Sequence, residues 1–155
     1  ALITAYSHGL GYEYWIFRFA NVIGSRMSQG VVYDFVSKLR RDPKRLEILG
    51  DGRQRKCYLH VRDCVDGMLH CVEHSRNEIF NLGTPTPITV DRVAEIVEGE
   101  MGFKDVEHRY TGGRRGWKGD LPVTFLSIDK VVHLGWKPSM DSEGGVRSAA
   151  VDNLG

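Results

Sequence analysis

An α/β fold is the architecture this sequence predicts, because short apolar strands alternate with segments of helical periodicity. Two observations carry the prediction. Tyr12–Phe19 is rich in aromatic and β-branched residues and reads as a largely buried strand. Further on, Val32, Phe35, Val36 and Leu39 fall on one helical stripe, and Val90, Val93, Ile96 and Val97 on another. With 155 residues, 41% hydrophobic and 26% charged, the chain has the size and balance of one globular domain.

In order, residues 1–9 read as the tail of a helix stopped by Gly9 and Gly11. After the strand, Asn21–Gly30 is a loop, and the helix carrying Val32–Leu39 ends before Pro43. Arg45–Leu49 alternates as a short strand, Gly50-Asp51-Gly52 is a turn, and Lys56–Val61 is a second strand. Asp63 is placed to cap a helix carrying Val65, Met68, Leu69 and Val72. Glu78–Leu82 is a further strand, and Thr89 opens a helix that Gly102 stops. Asp105–Tyr110 reads as an edge strand, followed by a Gly- and Arg-rich loop to Pro122. Two short helices, near Ser127–Leu134 and Asp141–Asn153, complete the order.

Composition narrows the function classes. The net charge of +1 is too near neutral to argue for nucleic acid as a partner, and none is expected. The basic run Lys38–Arg45 reads as a solvated helix end and the loop after it. No apolar run approaches the ~18 residues of a membrane span, so no membrane partner is expected. Ala1–Gly11 has no basic flank before an apolar stretch and is not read as a secretory leader. Cys57, Cys64 and Cys71 form no disulfide framework, which makes a reducing cytoplasm the expected compartment. His70 and His74, or Cys71 and His74, have ligand-compatible helical spacing. Without any CxxC, buried thiols on a core-facing helix are the expectation and no metal site is.

Gly113-Arg-Arg-Gly-Trp-Lys-Gly119 matches GxxGxxG literally, but it does not open a helix. A dinucleotide fingerprint needs a helix N-terminus facing the pyrophosphate. The Tyr-x-x-x-Lys pair, in which an ammonium lowers the pKa of a phenol, is not found at Tyr6, Tyr12, Tyr14, Tyr33, Tyr58 or Tyr110. What the loops do offer is a scatter of phosphate-compatible groups: Asn21, Arg26, Arg53, Arg55, Lys56, Arg114 and Arg115.

Five segments in order carry a resemblance. They are Arg18–Gly24 (RFANVIG); Gly50–Gln54 with Tyr58–Gly67; Phe80–Gly83 followed by Ile88-Thr-Val; Gly119–Pro122 with Ser127–Lys130; and Leu134–Pro138. Together the chain resembles the C-terminal portion of extended short-chain dehydrogenases/reductases, the NAD-dependent epimerases and dehydratases, most of all their UDP-glucose 4-epimerase group. The resemblance implies the last strands of a parallel Rossmann-type sheet plus a small mixed α/β substrate-binding lobe, spanning residues 1–155. It implies that another segment supplies the glycine fingerprint and Tyr-x-x-x-Lys, and that NAD is the cofactor of the full-length parent.

The resemblance also implies roles. Asn21 would bond a sugar-nucleotide phosphate, and Glu47 and Leu49 would border the base. Arg115 (or Arg114) and Asp120 would contact phosphate and ribose, and Phe19 would lie near nicotinamide and hexose. Thr124 would leave room for an N-acetyl group. Lys56 stands where the family has a phosphate-binding Arg, with Arg53 or Arg55 as compensating cations, and Cys57 replaces its neighbouring Asp. Gly-Trp-Lys stretches the family's R-x-G-D motif between Arg115 and Gly119. The expected partner is a UDP-sugar or similar nucleotide-sugar, and the chain alone is expected to be inactive. The alternative is a non-catalytic nucleotide-sugar binding or self-associating fragment: the resemblance implies a homodimer through helices that include the one whose tail is Ala1–Gly9, and the apolar strand around Tyr14–Phe19 is an edge open to self-association.

Overall fold

The computed structural model describes residues 1–154, and its strands and helices alternate as the periodicity requires. The first helix, α1 (Leu2–Leu10), leads to β1 (Trp15–Phe19), which continues past Ala20 as β2 (Asn21–Ile23). α2 (Val31–Arg41) and β3 (Arg45–Ile48) follow, then β4 (Arg55–Lys56), β5 (Tyr58–His60) and α3 (Val61–His74). Next come β6 (Glu78–Leu82), β7 (Ile88–Thr89), α4 (Val90–Glu100) and β8 (Glu107–Tyr110). β9 (Val123–Thr124), α5 (Asp129–His133) and α6 (Ser142–Asp152) close the order.

Parallel pairing dominates. β1 pairs with β6, β2 with β5, and β3 with β8, all in parallel. The small substructure β7-β4-β9 mixes directions: β4 is antiparallel to β7 and parallel to β9, with Lys56 opposite Thr124. At Ala20 the first strand changes partners. The Ala20 N–H bonds Leu82 O at 2.9 Å, and the next N–H, from Asn21, bonds Cys57 O at 3.2 Å. That hand-over carries Asn21 out of the larger parallel pair to the residue joining β4 and β5.

Two cores hold these elements. The stripes of α2 and α4 are buried as their spacing predicts, and they pack with Val146, Ala149 and Ala150 of α6 around Leu46, Ile48 and Tyr58. A fully buried side chain such as Phe35 contributes about 1.5–3 kcal/mol of transfer free energy. The second core joins Cys64 and Cys71 of α3 to Leu59, Phe80, Leu82, Val131 and Trp136. Burial raises all three thiols, Cys71 to about 11, so they are inert packing groups. Thr89 caps α4 as expected, its hydroxyl accepting the Arg92 N–H at 3.1 Å.

Four expectations need correction. Tyr12 lies outside the strand and is exposed, and β1 is half-buried to exposed rather than largely buried. The reason is that β1 pairs only with β6 among the described residues. Asp63 is not the cap of α3; His60 Nδ1 accepts the Arg62 N–H at 3.3 Å, one turn earlier. The helix therefore turns Cys64, Gly67 and Cys71 inward and leaves Val65, Leu69 and Val72 exposed. The basic run is only partly solvated: Arg40 Nη2 donates to Asn153 O at 2.9 Å and Leu154 O at 2.8 Å, covering carbonyls at the end of α6. An exposed apolar stripe of Leu2, Ile3, Tyr6 and Leu10 runs along α1, and no described helix is long and apolar enough to cross a membrane.

Asp63 is instead a tertiary clip. Its carboxylate is buried, accepting Ser139 Oγ at 2.7 Å and the Met140 N–H at 3.1 Å, which fastens the segment before α6 onto α3. Asp63→Ala leaves the half-buried Met140 N–H without its partner and removes the Ser139 contact, and should cost about 1–3 kcal/mol. Urea unfolding checks this, and a loss under about 0.5 kcal/mol would contradict the clip.

Candidate functional site

The hand-over at Ala20 opens a cavity of about 650 Å³ between β2, the start of α2, the β3–β4 turn and the loop before β9. A volume of that size is what a small-molecule site occupies. Asn21, Gln54, Lys56, Tyr58 and Asp120 supply polar groups to its wall, and Ala20, Ile23, Met27, Phe35, Leu49, Val90 and Trp117 supply apolar ones.

The electrostatic centre is Lys56 with Asp120. Lys56 Nζ bonds Asp120 Oδ1 directly, with side chains 15% and 8% exposed, and Asp120 Oδ2 accepts the Gly116 N–H at 3.0 Å. One carboxylate thus joins β4 to the loop that precedes β9. Burial opposes its ionisation, but the Lys56 ammonium and the Gly116 and Leu121 N–H groups together outweigh burial and hold Asp120 below the usual carboxylate range. Asp34, the other charged residue in the wall, pairs with Lys38 at 2.7 Å.

The β3–β4 turn is fixed from both sides. Gly50, at φ 83°, accepts a conformation open to glycine, and a Cβ there would collide with Gln54 Nε2 at 1.9 Å. Its N–H bonds Thr111 Oγ1 at 2.8 Å, and Gln54 Nε2 donates to Leu49 O at 3.1 Å. Gln54 lines the cavity and is buried, its Oε1 without a hydrogen-bond partner. Tyr58 is the tyrosine in the wall. Burial first, then the charges of Asp120 and Cys57, push its phenol well above its ordinary value, so it is no proton donor or acceptor near neutral pH. This arrangement can bind and orient a ligand.

Of the residues singled out from sequence, Asn21, Leu49, Lys56 and Asp120 line this cavity, and Asn21 Nδ2 also donates to Cys57 O at 3.3 Å. The others do not. Phe19 is exposed at the end of β1, and Glu47 lies on the outward face of β3, its carbonyl accepting Lys38 Nζ at 3.1 Å. Arg115 is exposed with its backbone packed against Gly50, and Arg114, Arg53 and Arg55 are exposed outside the wall. Thr124 is half-buried on β9, beside Lys56 in the sheet but outside the wall. The expected gathering of Asn21, Lys56 and Arg115 is therefore met by the first two. The reason is local: the loop turns back at Gly116 to satisfy Asp120, which leaves the preceding arginine side chains outside.

Sequence reasoning did not single out Gln54 or Trp117 for this wall. Gln54 lay within a recognised segment, and Trp117 lay inside the literal GxxGxxG. That stretch is an irregular loop leading into β9 without opening a helix, so it does not fit a dinucleotide pyrophosphate. His70 and His74 stack their rings at 4.1 Å on α3, with His70 Nε2 3.1 Å from Leu134 O. Among the described residues no group of three or more His, Cys, Asp or Glu is placed to hold a metal.

The depressed Asp120 carboxyl has a pH consequence. A lowered folded-state pKa contributes stability that is present above the ordinary Asp value of 3.8 and is lost as pH falls through the depressed value. The stability difference between wild type and Asp120→Asn, from urea unfolding, should therefore shrink between about pH 5 and about pH 3. A difference constant over that range would contradict the ion pair.

Comparison with known proteins bears on this site. The sequence profile of the NAD dependent epimerase/dehydratase family matches residues 1–83. A putative UDP-glucose 4-epimerase of Methanocaldococcus jannaschii is 32% identical over 149 residues, covering 94% of this chain and 47% of that protein. The UDP-glucose 4-epimerase of Thermotoga maritima, solved with UDP-glucose, superposes with a TM-score of 0.84 at 30% identity, over 96% of this chain and 48% of that one. The Thermus thermophilus UDP-glucose 4-epimerase, solved with NAD, gives 0.82 at 25% identity, over 99% and 50%. This chain spans about half the length of the relatives it matches. Its matched segments, parallel α/β core and superposition agree on one assignment: the chain belongs to the NAD-dependent epimerase/dehydratase family.

Proposed function

We propose that this chain is the nucleotide-sugar-binding portion of a UDP-glucose 4-epimerase-like enzyme, acting on a UDP-hexose, and that it is inactive alone. The observation that carries the proposal is the cavity at the Ala20 hand-over, where Asn21, Lys56 and Asp120 meet Leu49 and Gln54. A nucleotide-sugar needs a cation and neutral donors for its phosphates, and hydrogen-bonding groups for its hydroxyls. Asn21 and Lys56 supply the first, and Asp120 and Gln54 supply the second.

The same electrostatics predict modest affinity. Lys56 is already neutralised by Asp120, so an incoming phosphate has to share the ammonium rather than find it free. Lysine also lacks the two-pronged fork with which arginine grips a phosphate. Binding and orientation lower a barrier only where reacting groups are also held. The tyrosine in this wall is too strongly shifted to serve as one. NAD belongs to the proposed parent, and the Gly113–Gly119 loop, which opens no helix, offers no helix N-terminus to its pyrophosphate.

Calorimetric titration of the chain with UDP-glucose and with UDP tests the proposal. It predicts saturable binding weaker than about 10 μM, abolished by Lys56→Ala, and no conversion of UDP-galactose with added NAD. Detectable turnover would overturn the inactivity, and no saturable binding up to about 10 mM would overturn the site.

A further inference from the structure

The three tryptophans divide sharply. Trp136 is buried, its indole N–H on Asp66 Oδ2 at 2.8 Å, and Trp15 is half-buried with its N–H on Ser75 O at 3.1 Å. Trp117 is 65% exposed, borders the cavity, and has no hydrogen-bond partner for its indole N–H among the described residues. Exposing so large an apolar surface is unfavourable unless something covers it.

Its placement is nonetheless fixed. The turn carrying it is closed at both ends: Gly116 N–H donates to Asp120 Oδ2 at 3.0 Å, and Asp120 N–H donates to Trp117 O at 3.0 Å. Gly119, at φ 99°, lies beneath the ring, where a Cβ would sit 3.2 Å from Trp117 Cζ3. Gly116 in turn packs on Leu49, itself 41% exposed, with a Cβ there only 3.5 Å from Leu49 Cβ. The cavity wall therefore carries apolar surface from Trp117 and Leu49 beside the polar groups of Lys56, Asp120 and Asn21.

We infer that Trp117 is the stacking platform for the ligand's nucleobase and so a specificity-determining residue of this site, an inference that rests on the nucleotide-sugar assignment above. A planar heterocycle covers an indole face with little demand on exact hydrogen-bond geometry, while the phosphates reach the ammonium. Asp120 links ring and ammonium, since one carboxylate oxygen holds the turn that carries Trp117 and the other holds Lys56. The Gly-Trp-Lys that stretches the segment between Arg115 and Gly119 is what brings an aromatic ring to this wall.

The test titrates UDP and inorganic pyrophosphate into the chain and its Trp117→Ala and Trp117→Phe variants, with circular dichroism as the folding control. Trp117→Ala should weaken UDP about tenfold or more and leave pyrophosphate unchanged, and Trp117→Phe should restore most of the UDP affinity. Equal UDP affinity in wild type and Trp117→Ala overturns the platform while leaving the site assignment standing. Loss of both ligands in a folded Trp117→Ala also overturns it, by assigning Trp117 a structural role. Absence of UDP binding in wild type up to about 10 mM, with a folded chain, overturns the site and the platform together.

Discussion

The Lys56–Asp120 ion pair is the interaction on which the cavity depends. Through it a strand, a turn and a loop of different origin meet on a single buried carboxylate. Lys56 comes from β4, Asp120 from the loop before β9, and the second carboxylate oxygen closes the turn at Gly116. Taking two charges out of water is expensive, and the pair is tolerable because Asp120 also receives backbone N–H groups. Removing either partner leaves the other charge buried without compensation. The same pair limits what the cavity can do, because an entering anion competes for an ammonium that is already engaged.

Around that pair the fold acts as a positioning device. The parallel strand that begins as β1 changes partners at Ala20, and this single irregularity lets Asn21, paired with Tyr58 in the β2–β5 ladder, line the cavity. The helices α2, α4 and α6 then provide a rigid apolar backing, with Phe35 and Tyr58 shared between core and cavity wall. Asp63 and Arg40 fasten the C-terminal segment to the rest, one by holding Ser139 and Met140 and the other by covering the end of α6. Burial and neighbouring charge hold the Tyr58 phenol well above its ordinary value.

Periodic features were legible in the sequence and non-periodic ones were less so. The stripes of α2 and α4 and the Thr89 cap follow from spacing and local hydrogen bonding, which depend on neighbours only a few residues away. The Asp63 cap failed because a long-range clip to Ser139 and Met140 outcompeted a local role, and the inward face of α3 turned with it. For the candidate site, Asn21, Leu49, Lys56 and Asp120, named from ordered segment resemblance, line one cavity. Arg115 lies outside the wall and Trp117, not singled out, lies in it, for one shared reason. A stretched loop has no period, and its path is set by a carboxylate–backbone contact that residue types do not reveal.

The central claim is that a nucleotide diphosphate enters between β2 and the Asp120 loop. Amide chemical-shift mapping by two-dimensional NMR, with UDP added stepwise to the labelled chain, tests it most directly. The account predicts the largest shifts at Asn21, Lys56, Gly116 and Asp120, with α3 and α5 unmoved. Shifts centred on α1 or α3, with those four residues silent, would contradict it.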